Sequence, residues 1–543
     1  MKIVIAEKVS PATLAILKGE PGWEVVTADK IAEGGLPAAL ADADALIVRS
    51  AVQADAALLE HAPKLRLIGR AGVGVDNIDT AAATKRGIVV MNTPGANAVA
   101  VAELTLGLMV AMARSIPRAN SGMHEGKWDK KTLQGTELRG KTLGIVGLGR
   151  IGLEVARRAK AFGMTLLGYD PFVAPVIARE NGVTLVPIDE IFEESDYLSL
   201  HVGLTPQTEG LINKMSLAIM KKGVRLVNCA RGELIVDEAL VEALKSGHVA
   251  GAALDVFRAE PLKDSPYFEI PSVLLSPHIA GSTDEAQEAI GIQLANQVRD
   301  YLKLGVVQNA VNVASLSEEE YAEVSPYIEM AMRLGQFLAH SMGNEGLGNV
   351  DSLTLNFNGR VAQLKTDLIR NAAIAGLLEA SEGVNRINAA SAAAERGIRL
   401  EENKREHAPG GTNTTLRLIA HTAAGDSAVT GTVLHGTSPR LMRYDGIDVE
   451  AELAGTLVVV RNNDVPGVIG RIGTILGDAK LNIANFALGR KPVEGGKPGM
   501  QAVAVIQVDG IDKGEPGAFA AALGQLRAVE AISSVRVVEL GKL

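Results

Sequence analysis

Three glycines, Gly147, Gly149 and Gly152, stand in the order G-x-G-x-x-G between the apolar run Thr142 to Val146 and the segment Leu153 to Ala161. Nothing else in the chain restricts its fold as tightly. The order predicts strand, turn and helix. Gly147 permits the tight turn, Gly149 lets the backbone approach a pyrophosphate, and Gly152 lets helix and strand pack closely, with the helix N-terminus facing the phosphates. Asp170 ends the next apolar run, 23 positions after Gly147. An acid there can accept from both ribose hydroxyls and repels a 2′-phosphate, so the expected cofactor is NAD rather than NADP.

The surrounding pattern is α/β. From Lys2 to Met91, runs such as IVIA, ALIVRS, LRLIGR and GIVVM alternate with Ala/Leu-rich stretches. The alternation restarts at KTLGIVGLGRIG and continues through TLLGYD, DYLSLHV, VRLVNCARG, GAALDVF and SVLLSPHIAG. Two doubly wound parallel sheets are expected, the second with six or seven strands. A helical stretch from Ser282 to Leu304 has no new strand of this unit after it and is expected to cross back and complete the first unit. The tail changes texture at Val313, and its last ninety residues read strand, helix, strand, strand, helix, strand, a ferredoxin-like βαββαβ order. A chain of 543 residues exceeds the roughly 250–300 at which one core stops growing. The expected units are 1–96 with 287–312, 97–286, an α+β unit 313–452, and 453–543. PVEGGKPG, from Pro492, is read as a hairpin loop.

A formal charge of −9 argues against a nucleic-acid partner. One cysteine, Cys229, allows no intrachain disulfide and no cysteine-held metal, which suits a reducing cytoplasm. The N-terminus carries no secretion-signal pattern. The longest apolar region, Ala98 to Ala113, contains Glu103 and falls short of the roughly 20 residues that cross a bilayer; it reads as a buried helix at a subunit interface.

Three segments end strands on the side where open α/β sheets bind ligands: CARGELIV with Arg231, LDVFRAEPL with Glu260 and SPHIAG with His278. Singly, these residues read as a surface ion-pair partner, a helix cap and a buried loop histidine. Together they resemble the D-isomer-specific 2-hydroxyacid dehydrogenase family, whose motifs GLGRIG, CARGELIV, AEPL and SPHIAG stand nearly unbroken between Met1 and about Ala310. The resemblance implies that Arg231 binds the substrate carboxylate, that His278 exchanges a proton with the substrate oxygen, and that Glu260 pairs with His278. A guanidinium fork matches a carboxylate bidentately, and a carboxylate beside an imidazole favours its protonated form. The resemblance also implies cofactor contacts at Arg150, Ile151, Val202, Cys229, Ala230, Asp255, Ile279, Ala280 and Gly281, with Asp255 near the nicotinamide amide and Cys229 packing rather than reacting. Where the family shows His-Thr-Pro-Leu, this chain reads His201, Val202, Gly203, Leu204, which removes a hydroxyl contact.

Arg49 and Arg70 each follow a strand and face the expected cleft, where two cations suit a phosphate. Gly72, Val73 and Gly74 in RAGVGVDNID can form a backbone nest for a carboxylate. By resemblance, Asn97, Lys130 and Lys131 join the substrate region, the lysines from across a dimer. The tail resembles the intervening and ACT domains of the long family members that oxidise 3-phospho-D-glycerate, most specifically at RNNDVPGVIGRIGTILGDAKLNI. That implies L-serine as an effector at Asn462, Asp464 and Asn482, and a homodimer or homotetramer. Reduction of other 2-oxoacids and NAD sensing without turnover are the alternative readings. Asp464 and Asn482 are expected to face one edge of the last unit.

Overall fold

The computed structural model describes the chain except residues 32–33, 315, 317, 382, 407–413, 492–500, 510, 512–516 and 542–543; the Pro492 loop lies outside the described residues. In the first unit the sheet order is Glu24–Thr27, Lys2–Ile5, Ala45–Val48, Leu67–Arg70, Val89–Met91, all parallel. Parallel strands are buried on both faces, which is why these read as unbroken apolar runs. Ile3, Ile5, Ile47 and Leu67 line one face; Val4, Leu46, Val48 and Ile68 line the other. Helix Asp284–Leu304 returns to the first face and packs on helix Pro11–Lys18. Its Leu294 lies so close to strand Leu67–Arg70 that a Cβ at Gly69 would stand 3.0 Å from Leu294 Cδ1.

The second sheet has seven parallel strands in the order Val273–Leu275, Val249–Leu254, Val224–Asn228, Tyr197–Leu200, Thr142–Val146, Thr165–Tyr169, Thr184–Leu185. Strand order reverses between Tyr197–Leu200 and Thr142–Val146, and an open sheet binds ligands at such a switch point, beyond its strand C-termini. Helix Ala98–Arg114 covers one face through Val101, Ala102, Leu106 and Met109. Among the described residues no single helix is long and apolar enough to cross a membrane; this helix and Ile116–His124 pass such a test only jointly, across a 66° bend.

The third unit is a six-stranded sheet, Arg399–Arg405, Val350–Gly359, Thr414–Thr422, Gly425–Leu434, Ser438–Tyr444, Ile447–Glu452, antiparallel except for the first pair. Helices Glu318–Leu347 and Thr366–Leu377 cover it. They touch backbone to backbone: a Cβ at Gly335 would overlap Ala373 O, and one at Gly376 would overlap Met332 O. The last unit is βαββαβ, with the antiparallel order Asn482–Arg490, Gln501–Asp509, Thr456–Asn463, Ile532–Glu539. One face of this sheet, Val458, Val460, Ala504, Ile506 and Val535, lies under its own helices. The opposite face, Leu457, Val459, Val503, Val505 and Val538, belongs to the same apolar core as Phe337, Phe357 and Leu441 of the third unit. The two C-terminal sheets therefore share one core.

The register corrects one expectation. Thr456 lies by Val508 and Asn482 by Asp509, whereas Asn463 lies by Gln501 and Arg490 by Ala502. Strands Thr456–Asn463 and Asn482–Arg490 are parallel, so the helix between them carries the chain back, and Asn482 starts at the end of the sheet opposite Asp464. The two stand roughly 25 Å apart along the strand direction and do not face one edge within a single copy.

Candidate active site

Two glycines of the fingerprint are constrained by packing and the middle one is open. Gly147 has φ +93°, and a Cβ there would stand 2.6 Å from His201 O. A Cβ at Gly152 would overlap Gly147 O. At Gly149, the residue before helix Arg150–Ala161, the same position is open, with no atom of the described residues within 4 Å. Two glycines are thus required by packing and the middle one leaves room at a helix N-terminus, which is the shape a pyrophosphate needs. Asp170 closes the turn: Oδ2 accepts from Leu148 N at 2.8 Å and Oδ1 from Phe172 N at 2.8 Å. The site fits NAD.

Three neighbouring strand ends build the reacting side. The ladder continues past them, with Asp255 N bonded to Asn228 O at 3.0 Å and His278 N to Asp255 O at 2.8 Å. His278 has φ +53°, a left-handed conformation that costs a residue with a Cβ about 1–2 kcal/mol. Asp255, fully buried, organises the backbone around it. Its carboxylate accepts from Ser276 Oγ (2.6 Å), Ile279 N (2.9 Å) and Ala280 N (2.8 Å). His278 Nδ1 then meets Glu260 Oε2 at 2.7 Å, and Glu260 Oε1 accepts from Phe257 N at 3.0 Å. Both side chains keep solvent access, and the Glu260 contact is made through Nδ1. Asp255 was expected near the nicotinamide; the structure gives its oxygens to the loop that carries His278.

Arg231 is held by Asn228, whose Nδ2 donates to Arg231 O (2.7 Å) and whose Oδ1 accepts from Ala230 N (3.0 Å). Its guanidinium reaches the first unit. Nε and Nη2 both lie 2.9 Å from Asp76 Oδ2, and a Cβ at Gly74 would overlap Nη2. Arg70 folds over Gly72, where a Cβ would overlap its Nη1. Burial and the neighbouring Arg231 charge lower the Arg70 guanidinium to about 10, still cationic at neutral pH. Its Nε is buried with no hydrogen-bond partner among the described residues. Arg49 bonds Lys8 O through Nη1 (3.2 Å), and Glu7 Oε1 accepts its backbone N–H at 2.7 Å. Arg231 and Arg49 both repel the Arg70 charge, and Asp76 and Glu7 partly offset that repulsion, which is a setting that an anion can join.

The remaining expected residues fall in two groups. Val73 O accepts from Asn92 Nδ2 (2.5 Å), and Asn97, whose Oδ1 is buried without a partner among the described residues, lies against Gly281. Val202 packs on Gly147, Ile151 and Ala280 join the apolar core beside the fingerprint, and Arg150 Nη1 bonds Pro94 O across the cleft. Cys229 is buried in the same apolar core, and that burial pushes its thiol up to about 12. Lys130 and Lys131 stand apart on an exposed loop beside Trp128, without contact to the cleft among the described residues. In the last unit Asp464 pairs with Arg490 (3.1 Å). Asn462 is 5% exposed and turns its Nδ2 to Asn463 O, so it is a buried strand residue rather than an open contact. Asp76 and Asn228 were not foreseen. The signal for Asn228 is an Asn directly before a turn, where its side chain bonds the backbone two residues on.

A dinucleotide cradle, an arginine fork and a carboxylate-paired histidine on adjoining strand ends define an NAD-dependent 2-hydroxyacid dehydrogenase. The family model for the NAD-binding domain of D-isomer specific 2-hydroxyacid dehydrogenases matches residues 106–280, and that for the D-3-phosphoglycerate dehydrogenase intervening domain matches 323–445. The chain is 40% identical over 512 residues to the D-3-phosphoglycerate dehydrogenase of Methanocaldococcus jannaschii, covering 94% of this chain and 95% of that one. It is 40% identical over 453 residues to the Bacillus subtilis enzyme of the same name, covering 82% and 85%. The chain therefore belongs to the D-3-phosphoglycerate dehydrogenase family. Among solved structures, NAD-dependent formate dehydrogenase from Staphylococcus aureus in complex with NAD aligns at TM-score 0.52 and 32% identity, over 58% of this chain and all of that one. D-lactate dehydrogenase from Aquifex aeolicus, complexed with NAD and lactic acid, aligns at 0.51 and 28%, with the same coverage.

Proposed function

We propose that this chain oxidises 3-phospho-D-glycerate to 3-phosphohydroxypyruvate with NAD, the first step toward L-serine, in a reducing cytoplasm. The observation that carries the reading is the arginine cluster at the Arg231 strand end, in the same row of strand ends as the His278–Glu260 pair: Arg231 for the carboxylate, and Arg70, whose Nε has no partner among the described residues, beside Arg49 for the phosphate. The substrate carboxylate seats on Arg231 and the backbone of Gly72 to Gly74, which fixes C2 beside the cofactor face. His278 takes the hydroxyl proton at Nε2 as C2 gives up its hydride, and Glu260 stabilises the imidazolium. Gly147 to Gly152 would hold NAD, which would supply the hydride acceptor. His278→Ala is expected to lower kcat by about 10²–10⁴-fold, the usual worth of general acid–base catalysis, with NAD binding retained. Near wild-type turnover removes the mechanism. Arg49→Ala is expected to raise KM for phosphoglycerate more than KM for 2-oxoglutarate; equal effects favour a broad 2-oxoacid reductase.

The βαββαβ unit supports a second part of the proposal, that it is an ACT domain binding L-serine. Asp464 can accept from the ammonium, and Asn482 can bond either end of the zwitterion. Since they lie at opposite ends of the sheet, one serine meets both only where two copies pair around a two-fold axis, which makes the serine-bound form a dimer or tetramer. L-serine titrated against wild type, Asp464→Ala and Asn482→Ala tests this. Inhibition lost in both variants supports it, and inhibition that persists in both removes it.

A further inference from the structure

Three asparagine side chains converge on one short stretch of the substrate unit, Lys85 to Ile88. Helix Thr80–Lys85 ends there, and the last carbonyls of a helix have no donors within it. Asn388 Nδ2 donates to Lys85 O at 2.8 Å, Asn385 Nδ2 to Gly87 O at 3.4 Å, and Asn312 Nδ2 to Ile88 O at 2.9 Å. Asn312 lies where the chain passes from the first unit to the third; Asn385 and Asn388 belong to the third. The pair is braced before it touches the helix. Asn388 is 5% exposed, accepts from Asn385 N at 2.8 Å and donates to Gly383 O at 2.8 Å, while Asn385 Oδ1 accepts from Ile387 N at 2.9 Å. Ile387 itself packs on the core under the first sheet.

The other end of the same helix is the substrate loop. Asp79 caps it, with Ala82 N donating to Asp79 Oδ1 at 2.8 Å, and Asp79 is also the last residue of the segment that begins at Arg70. Within that segment Asp76 meets Arg231, and Asn77 Nδ2 donates to Arg49 O (3.0 Å) and Val52 O (2.6 Å). Six helical residues span only about 9 Å, too short to absorb a displacement by bending.

We propose that Asn385 and Asn388 are positioning residues for the substrate loop: by fixing one end of helix Thr80–Lys85 they set where Gly72 to Asp76 and Arg49 stand relative to Arg231. The two C-terminal sheets share a core, so the clamp joins their combined body, and not one domain alone, to the cleft. This rests on the reading of Arg70 to Asp79 as the substrate seat.

The test uses the full chain with Asn388→Asp, which keeps the shape and removes the amide donor, and Asn385→Ala. KM for phosphoglycerate is expected to rise about five- to tenfold, the equivalent of about one net hydrogen bond, with the NAD dissociation constant unchanged. Amides of residues 70–79 are expected to exchange with solvent faster by a similar factor. A lower Tm with KM and the exchange of 70–79 both unmoved overturns the proposal. If wild type does not turn over phosphoglycerate, the substrate reading fails, and the exchange of 70–79 still decides the clamp. A second pair guards against misfolding: a Cβ at Gly87 would overlap the Asn385 amide. Gly87 has φ +71°, so Gly87→Ala carries a backbone strain common to both backgrounds; the overlap adds to it only where Asn385 is present, so residues 70–79 are expected to be perturbed less in an Asn385→Ala background than alone, and equal perturbation in both backgrounds counts against the clamp.

Discussion

Asp255 carries no charge to the substrate, yet His278 could not hold its backbone without it. Three donors converge on that buried carboxylate, and a left-handed residue persists only where its surroundings impose it. Asp255→Asn turns one acceptor oxygen into a donor facing a donor. The expected result is a kcat lower by about tenfold or more at a nearly unchanged NAD affinity, the cost of one unsatisfied buried group; steady-state rates beside Tm check it. Asp170→Ala is expected to weaken NAD binding and narrow its preference over NADP, and direct titration of both cofactors measures the ratio. His278, Glu260 and Arg231 were legible in the sequence because each stands in a motif at a strand end. Asp76 was not. Its segment was read for backbone N–H groups, and only the approach of two units turns its carboxylate toward Arg231.

At the scale of elements, apolar runs announced most strands, because burial on both faces leaves no polar position. The alternation did not announce where parallel strands start, and that misplaced Asn482. The strand Tyr197–Leu200 hides a further consequence in the residue that follows it. His201 Nε2 shares a hydrogen with Ser199 Oγ at 2.8 Å, Nδ1 is buried without a partner among the described residues, and burial pushes the ring down to about 4. Unfolded, the same ring titrates near 6.5. Below that pH the unfolded chain takes up a proton that the folded chain refuses, so stability is complete above about 6.5 and falls as pH drops toward 4, by roughly 3 kcal/mol in all. Urea unfolding at stepped pH is expected to show this slope, and His201→Asn is expected to flatten it.

At the scale of the molecule, the tail is two folds around one core. Leu457, Val459, Val503, Val505, Val538 and Leu540 are at most 6% exposed, and removing the chain from Gly455 onward would uncover the apolar face they cover. Such a truncation is expected to aggregate or to lose several °C in Tm, measurable by light scattering and thermal unfolding, rather than to yield a freely active enzyme. The runs LVVV in Thr456–Asn463 and AVAVI in Gln501–Asp509 do announce a sheet covered on both faces, but nothing in the sequence states which partner the second face meets.

The crossing-back helix bears on how the protein is made. The ribosome finishes Met91 about two hundred residues before it finishes helix Asp284–Leu304, a delay on the order of ten to forty seconds at ordinary elongation speeds. During that interval Ile3, Ile5, Ile47 and Leu67 have no Leu294 or Val298 to cover them, while the dinucleotide unit between can already close. The nascent chain therefore carries a folded centre and an adhesive beginning, and its yield in a cell depends on what shields the first ninety residues until the thread returns.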